Sequence, residues 1–320
     1  MEKQYVVGID VGGQTTKIGV VDARGDVLAQ SVIRSDIYGE DASAYVDALA
    51  AAVKAVVADS GKTEEIRGIG VGAPNGNYYT GTIAFAPNLV WAAKGTVDFA
   101  KMLSARLEGM PVSLTNDANA AAVGEMTYGV ARGMKNFIMI TLGTGVGSGI
   151  VINGQVVYGF DGFAGELGHT NAVRYNGRAC GCGRTGCLEA YCSAMGVART
   201  AREWLESGTE PSLLRDVENI TSKDVYDAAK QGDALAIRVF QYTGRILGRS
   251  FADFVAFSAP EAIVLFGGLA RAKEFLYQPM VEAMDENLLK IWKGKIKIVF
   301  SQLKESDAAI LGASALAWEL

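Results

Sequence analysis

The chain has 320 residues, 49% of them hydrophobic and 20% charged, with a net charge of −5. That is an ordinary composition for a soluble globular protein, long enough for two domains and a large core. The acidic balance argues against a nucleic-acid surface, where clustered basic residues are expected, and no run of like charge reaches the length of an interaction tail.

Met1-Glu2-Lys3-Gln4 leads directly into a strand-like run, so no signal peptide is expected. Tyr5 to Asp10 is a β-branched run, followed by a glycine turn, a second such run at Lys17 to Asp22, a turn at Asp22 to Asp26 and a third strand at Val27 to Ser35. Strand, turn, strand at this spacing predicts an antiparallel meander and not the strand-helix-strand of a dinucleotide fold. Ala42 to Ala58 reads as an alanine-rich helix and Ile66 to Gly72 as the strand after it. Val97 to Leu107 is predicted helical. Val112 to Asn116 is a strand that delivers Asp117 at its carboxyl end, before a small-residue helix over Ala118 to Glu125.

The pattern then restarts. Phe137 to Leu142 is a strand, Gly143 to Gly149 a glycine turn, and Ile150 to Ile152 the next strand, a weak architectural duplication of the first half. Helices are expected over most of Met195 to Phe257. The strand Ala262 to Phe266 ends in Gly267-Gly268, Lys295 to Val299 is another strand, and Asp307 to Trp318 is a closing helix. The longest apolar segment, Phe251 to Ala270, is interrupted by Asp253, Pro260 and Glu261 and cannot span a membrane. The expected location is the cytoplasm.

His169 is the only histidine, and the four cysteines, Cys180, Cys182, Cys187 and Cys192, all follow within a short stretch. An imidazole with three thiolates is a Cys₃His set, a usual tetrahedral zinc shell. Gly181, Gly183 and Gly186 let the backbone turn tightly enough to gather the sulfurs. The plainer alternatives are a disulfide or ordinary buried cysteines. Cys180 and Cys182, one residue apart, are poorly placed to bond each other, and nothing else suggests an oxidising compartment. Structural zinc on His169, Cys180, Cys182 and Cys187 is therefore expected, with Cys192 a small buried residue at the start of a helix.

Backbone N–H groups in tight glycine turns converge on a concavity that suits phosphate oxygens. One such turn is a weak signal; Gly12-Gly13, Gly143 to Gly149 and Gly267-Gly268 together are a stronger one. None closes with the Gly-Lys-Ser/Thr of a Walker A loop, and neither of the first two runs directly into a helix.

With these segments assembled, the chain resembles the ROK family of repressors and sugar kinases, in its bacterial glucokinase branch, over nearly the whole length. The resemblance rests on Asp10-Val-Gly-Gly13, Thr115-Asn-Asp-Ala-Asn-Ala-Ala-Ala122, Leu142-Gly-Thr-Gly-Val-Gly-Ser-Gly149, Gly165-Glu-Leu-Gly-His169 and Cys180-Gly-Cys-Gly-x-x-Gly-Cys-Leu-Glu189. It implies an α/β fold with the two-domain actin/hexokinase-like (ribonuclease H-like) architecture and a structural zinc loop, with ATP between the domains and closure over sugar. The expected small domain is 1–118 plus 307–320, and the large domain is 119–306.

The resemblance also implies roles. Asp117 is the general base, and its position before a helix also suits an N-cap. Asn88, Asn116, Asp117, Glu166, His169 and Glu189 hold the sugar. Asp10 organises Mg²⁺ on ATP through water, while Gly12, Gly13, Gln14, Thr15, Gly143, Thr144, Gly145, Gly147, Gly267 and Gly268 line the nucleotide. His169 can ligate zinc through one ring nitrogen and offer the other to a sugar hydroxyl, which makes the metal a clamp on the pocket. Four protein ligands leave zinc no open position for Lewis-acid chemistry.

Three departures from the family pattern stand out. Gln14 replaces the Thr or Ser of the first phosphate turn. Gly72-Ala-Pro-Asn75-Gly-Asn-Tyr-Tyr replaces a Pro-Gly turn over the sugar. The winged helix of the repressors has no counterpart before Tyr5, so DNA binding is not expected. The expected reaction is ATP-dependent phosphorylation of glucose to glucose 6-phosphate, in a dimer or tetramer with no membrane partner. The alternatives are a kinase for N-acetylmannosamine, N-acetylglucosamine, fructose or allose, polyphosphate as donor, and a non-enzymatic sugar sensor.

Overall fold

The computed structural model describes residues 3–320, with only the backbone at 305; Met1 and Glu2, part of the argument against a signal peptide, lie outside the described residues. Two compact units are present. One takes Met1–Met134, Gly149–Gly165 and Ser301–Leu320, the other Lys135–Ser148 and Glu166–Phe300.

In the first unit, β1 (Tyr5–Val11), β2 (Thr15–Asp22) and β3 (Val27–Arg34) form the expected antiparallel meander, β1 and β2 paired from Tyr5↔Asp22 to Val11↔Thr16. Strand β3 alternates partly buried and exposed residues, as a sheet-edge strand with one covered face should. Strand β1 is buried almost throughout because both of its faces are covered. Val7 and Ile9 pack with Tyr45, Leu49 and Val53 of α1 (Ala42–Ser60). Asp41 caps that helix by accepting from the Ala44 N–H at 2.9 Å, and Gly61 ends it in the left-handed region at φ 68°.

Strand β4 (Ile66–Gly72) adds to β1 in parallel, and the short pair β5 (Ile83–Ala84) and β6 (Thr96–Val97) follows. Val97 thus belongs to a strand, paired with Ile83, and α2 begins only at Phe99 (Phe99–Arg106); the β-branched side chain and the Asp98 behind it delay the helix. Strand β7 (Val112–Thr115) completes the sheet order β3-β2-β1-β4-β7 and feeds α3 (Asp117–Thr127).

The second sheet has the order β10-β9-β8-β11-β12, from β8 (Phe137–Leu142), β9 (Val146–Ile152), β10 (Gln155–Val156), β11 (Ala262–Phe266) and β12 (Lys297–Phe300). Read from its first strand outward, this is the same arrangement as the first sheet, so the duplication is legible in topology. Strand β9 begins at Val146, four residues earlier than expected, because the turn needs only Gly143 to Gly145, with Gly143 N–H donating to the Gly145 carbonyl at 3.0 Å.

Between those strands run α4 (Glu189–Cys192), α5 (Ala194–Ser207), α6 (Ser222–Lys230), α7 (Ala234–Ser258) and α8 (Lys273–Asn287). Ile138, Ile140, Ile263 and Leu265 of the sheet pack against Val239, Phe240, Leu247, Phe251, Leu276 and Met280 of the helices. Cys192 is fully buried as expected, but it ends α4 and does not start a helix.

The closing helix α9 (Glu305–Ala315) returns to the first unit, where Ile310 and Leu311 pack with Val6 and Val21 on the face of the sheet away from α1. A Cβ on Gly70 would stand 1.8 Å from the Ala313 carbonyl oxygen, so the helix can lie this close to β4 only over a glycine. No helix among the described residues is long and apolar enough to cross a membrane.

Candidate active site

The first unit gathers Asp10, the first glycine turn, Asn88, Asn116 and Asp117. The turn between β1 and β2 is held by Gly12 N–H donating to the Thr15 carbonyl at 3.0 Å and by Ser35 N–H donating to the Gln14 carbonyl at 2.9 Å. The side chains of Gln14 and Thr15 remain exposed. A Cβ at Gly13 would stand 2.7 Å from the Asn88 carbonyl oxygen, so the glycine lets this turn touch the segment carrying Asn88, itself exposed.

Asp10, one residue before the end of β1, lies opposite Lys17 in the β1–β2 ladder. Burial chiefly, and the neighbouring Asp117 carboxylate next, push its pKa up to about 6, while Lys17 pulls the other way. A half-buried carboxyl raised by burial and by a neighbouring acid, with one opposing cation, is an electrostatic setting that would welcome a divalent cation.

Asp117 is the first residue of α3. The N-cap is Asn116, whose Oδ1 accepts from Ala118 N–H at 2.8 Å; Asp117 Oδ1 accepts from the same N–H at 2.8 Å. The capping role expected of Asp117 therefore falls to its neighbour, and the aspartate is a first-turn acid favoured by the helix dipole. Its side chain is reachable by solvent, yet the protein packed around it withholds enough water to push its carboxyl up, against the pull of the Ala118 N–H.

The loop that departs from the family pattern is firmly held. Asn75 adopts φ 53° and donates its amide to the Ala84 and Phe85 carbonyls at 3.0 Å each. Asn77 Oδ1 accepts from Tyr79 and Thr80 N–H at 3.0 and 3.2 Å, and its amide donates to the Asp161 carbonyl at 2.6 Å. Tyr78 stacks on Tyr158 with ring centroids 4.1 Å apart.

The second unit gathers the other candidates. Gly147 N–H donates to Thr141 Oγ1 at 3.1 Å, and Val146 N–H donates to Glu189 Oε2 at 3.0 Å. A Cβ on Gly145 would stand 2.5 Å from that same oxygen. Thr144 is exposed on the turn. Gly267 follows β11 directly, in register with the end of β8 (Phe266↔Thr141), and a Cβ there would stand 2.5 Å from the Leu142 carbonyl. The second and third glycine segments are thus neighbours, with Gly268 exposed beside them.

The ligand atoms of His169, Cys180, Cys182 and Cys187 all lie within 4.8 Å of one another. Cys180 Sγ is 3.8 Å from His169 Nδ1, and Cys182 Sγ is 3.7 Å from Cys187 Sγ. Tetrahedral zinc with its usual bond lengths sets sulfurs about 3.8 Å apart, so the four residues fit the metal. The loop is pre-folded: Cys180 N–H donates to the Arg184 carbonyl at 2.8 Å, and Gly183 N–H to the Cys180 carbonyl at 3.1 Å. Burial pushes the Cys187 thiol up to about 12, while the Arg184 backbone N–H draws the Cys182 thiol down.

His169 ends the 3₁₀ turn Leu167–His169, and its N–H donates to the Glu166 carbonyl at 3.1 Å. With Nδ1 facing Cys180, its Nε2 is left for another partner. Glu189 carries one oxygen on Val146 N–H and the other 3.7 Å from Cys180 Sγ, so a single carboxylate joins the cysteine loop to the second glycine turn.

Sequence reasoning missed several supporting residues. Lys17 was readable from the hairpin register once Asp10 was chosen. Arg178 carries no motif, yet its buried guanidinium lies 4.5 Å over the Tyr191 ring and donates to Glu203 and Thr200, bracing the cysteine loop against α4 and α5. Thr16, Ser35 and Tyr45, buried behind the first glycine turn, gave no signal because they sit in apolar patterns.

Known proteins bear on this arrangement. The sequence matches the ROK family over residues 6–319. It is 37% identical to a glucokinase of Halalkalibacterium halodurans over 287 residues, 88% of this chain and 85% of that protein. A glucokinase of Thermotoga maritima is 34% identical over 321 residues, covering 99% of this chain and 98% of that one. Among solved structures, a ROK family glucokinase from Streptomyces griseus in complex with glucose and AMPPNP is 32% identical with a TM-score of 0.79, covering 99% of this chain and 100% of that one. A match that runs from β1 to the last helical turn and takes in both glycine turns and the His–Cys segment leaves one assignment: the chain belongs to the ROK family.

Proposed function

We propose that the chain transfers the γ-phosphoryl group of ATP to the 6-hydroxyl of glucose, with Asp117 as general base. The observation that carries this reading is the Asp117 carboxyl: solvent-accessible at the start of α3, electrostatically coupled to Asp10, and set in a chain similar to glucokinases throughout.

The chemistry follows from these groups. As the 6-oxygen attacks the γ-phosphorus, its proton passes to Asp117, the bond from phosphorus to the β,γ-bridging oxygen breaks, and ADP leaves with that electron pair. Such bases typically contribute about 10²–10⁴-fold, and more when their pKa is raised toward the working pH. Asp117 is raised in that direction by burial. Asp10, beside it, is suited to hold the water shell of the Mg²⁺ that accompanies ATP. The N–H groups of Gly12 to Thr15, and those of Gly143 to Gly147 with Gly267 and Gly268, suit phosphate oxygens.

Asn88, Asn116, Asp117, Glu166, His169 and Glu189 are the donors and acceptors offered to the pyranose hydroxyls. A site built this way rejects a sugar lacking one hydroxyl strongly. His169, Cys180, Cys182 and Cys187 fit a structural zinc ion, which when bound fixes the loop and hence the orientation of His169 and Glu189.

A coupled ADP-release assay over glucose, mannose, allose, fructose, N-acetylglucosamine and N-acetylmannosamine, with ATP or polyphosphate as donor, tests this reading. Glucose with ATP should have the highest kcat/KM, the quantity that reports transition-state binding relative to free sugar. An N-acetyl sugar or fructose ahead by tenfold would assign the pocket to that sugar and trace the change to the Asn75–Thr82 loop.

A further inference from the structure

Behind the first glycine turn lies a chain of hydroxyls in an otherwise apolar core. Tyr45 and Thr16 are fully buried, and Ser35 is 2% exposed. Thr16 Oγ1 is 2.6 Å from Tyr45 Oη and 3.1 Å from Ser35 Oγ. The backbone N–H of the same Ser35 holds the Gln14 carbonyl at 2.9 Å, and Thr16 directly follows Thr15, whose carbonyl accepts from Gly12. The hydroxyl chain therefore ends on both shoulders of the turn.

Stability alone does not account for it. Val at 16, Phe at 45 and Ala at 35 would fill nearly the same space, and replacing all members of a buried hydrogen-bonded group by apolar side chains of similar shape is often close to neutral. The ring of Tyr45 has a second task. It stacks on Trp91 at 4.6 Å and 21°, with Phe99 at 6.3 Å and Tyr38 at 5.7 Å. Trp91 lies in the 3₁₀ turn Val90–Ala92, three residues after Asn88, and the Asn88 carbonyl is what a Gly13 side chain would strike. One tyrosine thus grips the turn by its hydroxyl and the Asn88 segment by its ring.

We propose that Tyr45 is a positioning residue for nucleotide binding, holding the Gly12–Thr15 turn through Thr16 and Ser35 in the shape that receives phosphate. This rests on the reading of that turn as a phosphate site. A turn ordered in advance does not have to be ordered by the ligand, so releasing it weakens binding without removing any contact to ATP.

The test uses the full-length chain and direct binding of AMPPNP with Mg²⁺ and of glucose, with thermal unfolding as a fold check. Tyr45→Phe keeps the ring and removes one hydrogen bond, so it should raise the AMPPNP Kd about three- to tenfold. Thr16→Val keeps the volume and removes two, so it should raise it at least as much, and both should leave the glucose Kd within twofold. Thr16→Ser should restore AMPPNP binding to within twofold of wild type. The double variant should be no weaker than Thr16→Val, which already removes the bond that Tyr45→Phe removes.

Folded Tyr45→Phe and Thr16→Val proteins that bind AMPPNP like wild type overturn the proposal. So does a Thr16→Ser protein as impaired as Thr16→Val, since the defect would then follow from packing. A wild-type protein that binds AMPPNP but phosphorylates none of the hexoses defeats the glucokinase reading instead, and the variant comparison still decides this one.

Discussion

Replacing Asp10 by Asn should cost the enzyme its activity and raise its stability. The carboxyl is pushed from 3.8 up to about 6, first by burial and then by Asp117, so its ionised form is disfavoured in the folded chain. Two pKa units correspond to roughly 3 kcal/mol; water and the cost of placing an amide there reduce this, which leaves about 1–3 kcal/mol to be recovered. The sign fixes the pH window. The native state holds the proton more tightly than the unfolded state, so the cost is absent below about pH 4, grows as pH rises from 4 to 6, and is complete above that.

Without Mg²⁺ or nucleotide, Asp10→Asn should therefore melt higher than wild type by about 2–10 °C at pH 7.5, and the difference should fall to roughly a third of that at pH 4.5. Differential scanning fluorimetry across that range reads it, while turnover falls at least 10²-fold. A variant less stable than wild type at neutral pH, or a gap independent of pH, would refute the argument that Asp10 is strained by its surroundings to serve a cation.

Other consequences are equally direct. Gly145→Ala would drive a Cβ to 2.5 Å from Glu189 Oε2 and break that carboxylate's bond to Val146 N–H. Losing a charged hydrogen bond costs about 1.5–3 kcal/mol, so kcat/KM should drop roughly 10–100-fold in a folded protein; unchanged kinetics would mean that Glu189 does not need the turn. Cys182→Ser should reduce zinc, measured by plasma mass spectrometry, well below the one ion per chain expected of wild type, and should speed hydrogen exchange over residues 165–189. Wild-type protein purified without chelators and free of zinc would remove the metal from the account.

The elements most legible in the sequence were those with strong periodic or compositional signals. The β1–β3 meander follows from its β-branched runs, and Ile66–Gly72 and Phe137–Leu142 have the ends that the sequence predicts. Boundaries set by single residues were harder. Val97 pairs with Ile83 in a ladder that brings together residues 14 apart, which a local helix pattern does not reveal. Asn116 and Asp117 are both good caps, and only the backbone at Asn116, with φ −61° and ψ 147°, decides between them.

The His–Cys cluster was readable because its chemistry is rare and its residues lie close in sequence, and the folded loop brings the four ligand atoms together. The Tyr45–Thr16–Ser35 chain was not, because its members are spread over 29 residues and each occupies a position where an apolar residue would fit. Arg178 was hidden for the same reason: its partners Thr200 and Glu203 are more than 20 residues away.

The central claim is that Asp117 takes the proton from the sugar hydroxyl during phosphoryl transfer. Steady-state turnover of wild type and Asp117→Asn with saturating glucose and Mg-ATP, set beside their affinities for AMPPNP, tests it most directly. The account predicts equal amounts of glucose 6-phosphate and ADP from wild type, a kcat lower by about 10²–10⁴-fold in the variant, and AMPPNP binding within twofold. A variant that keeps more than a tenth of wild-type turnover would take Asp117 out of the role of base.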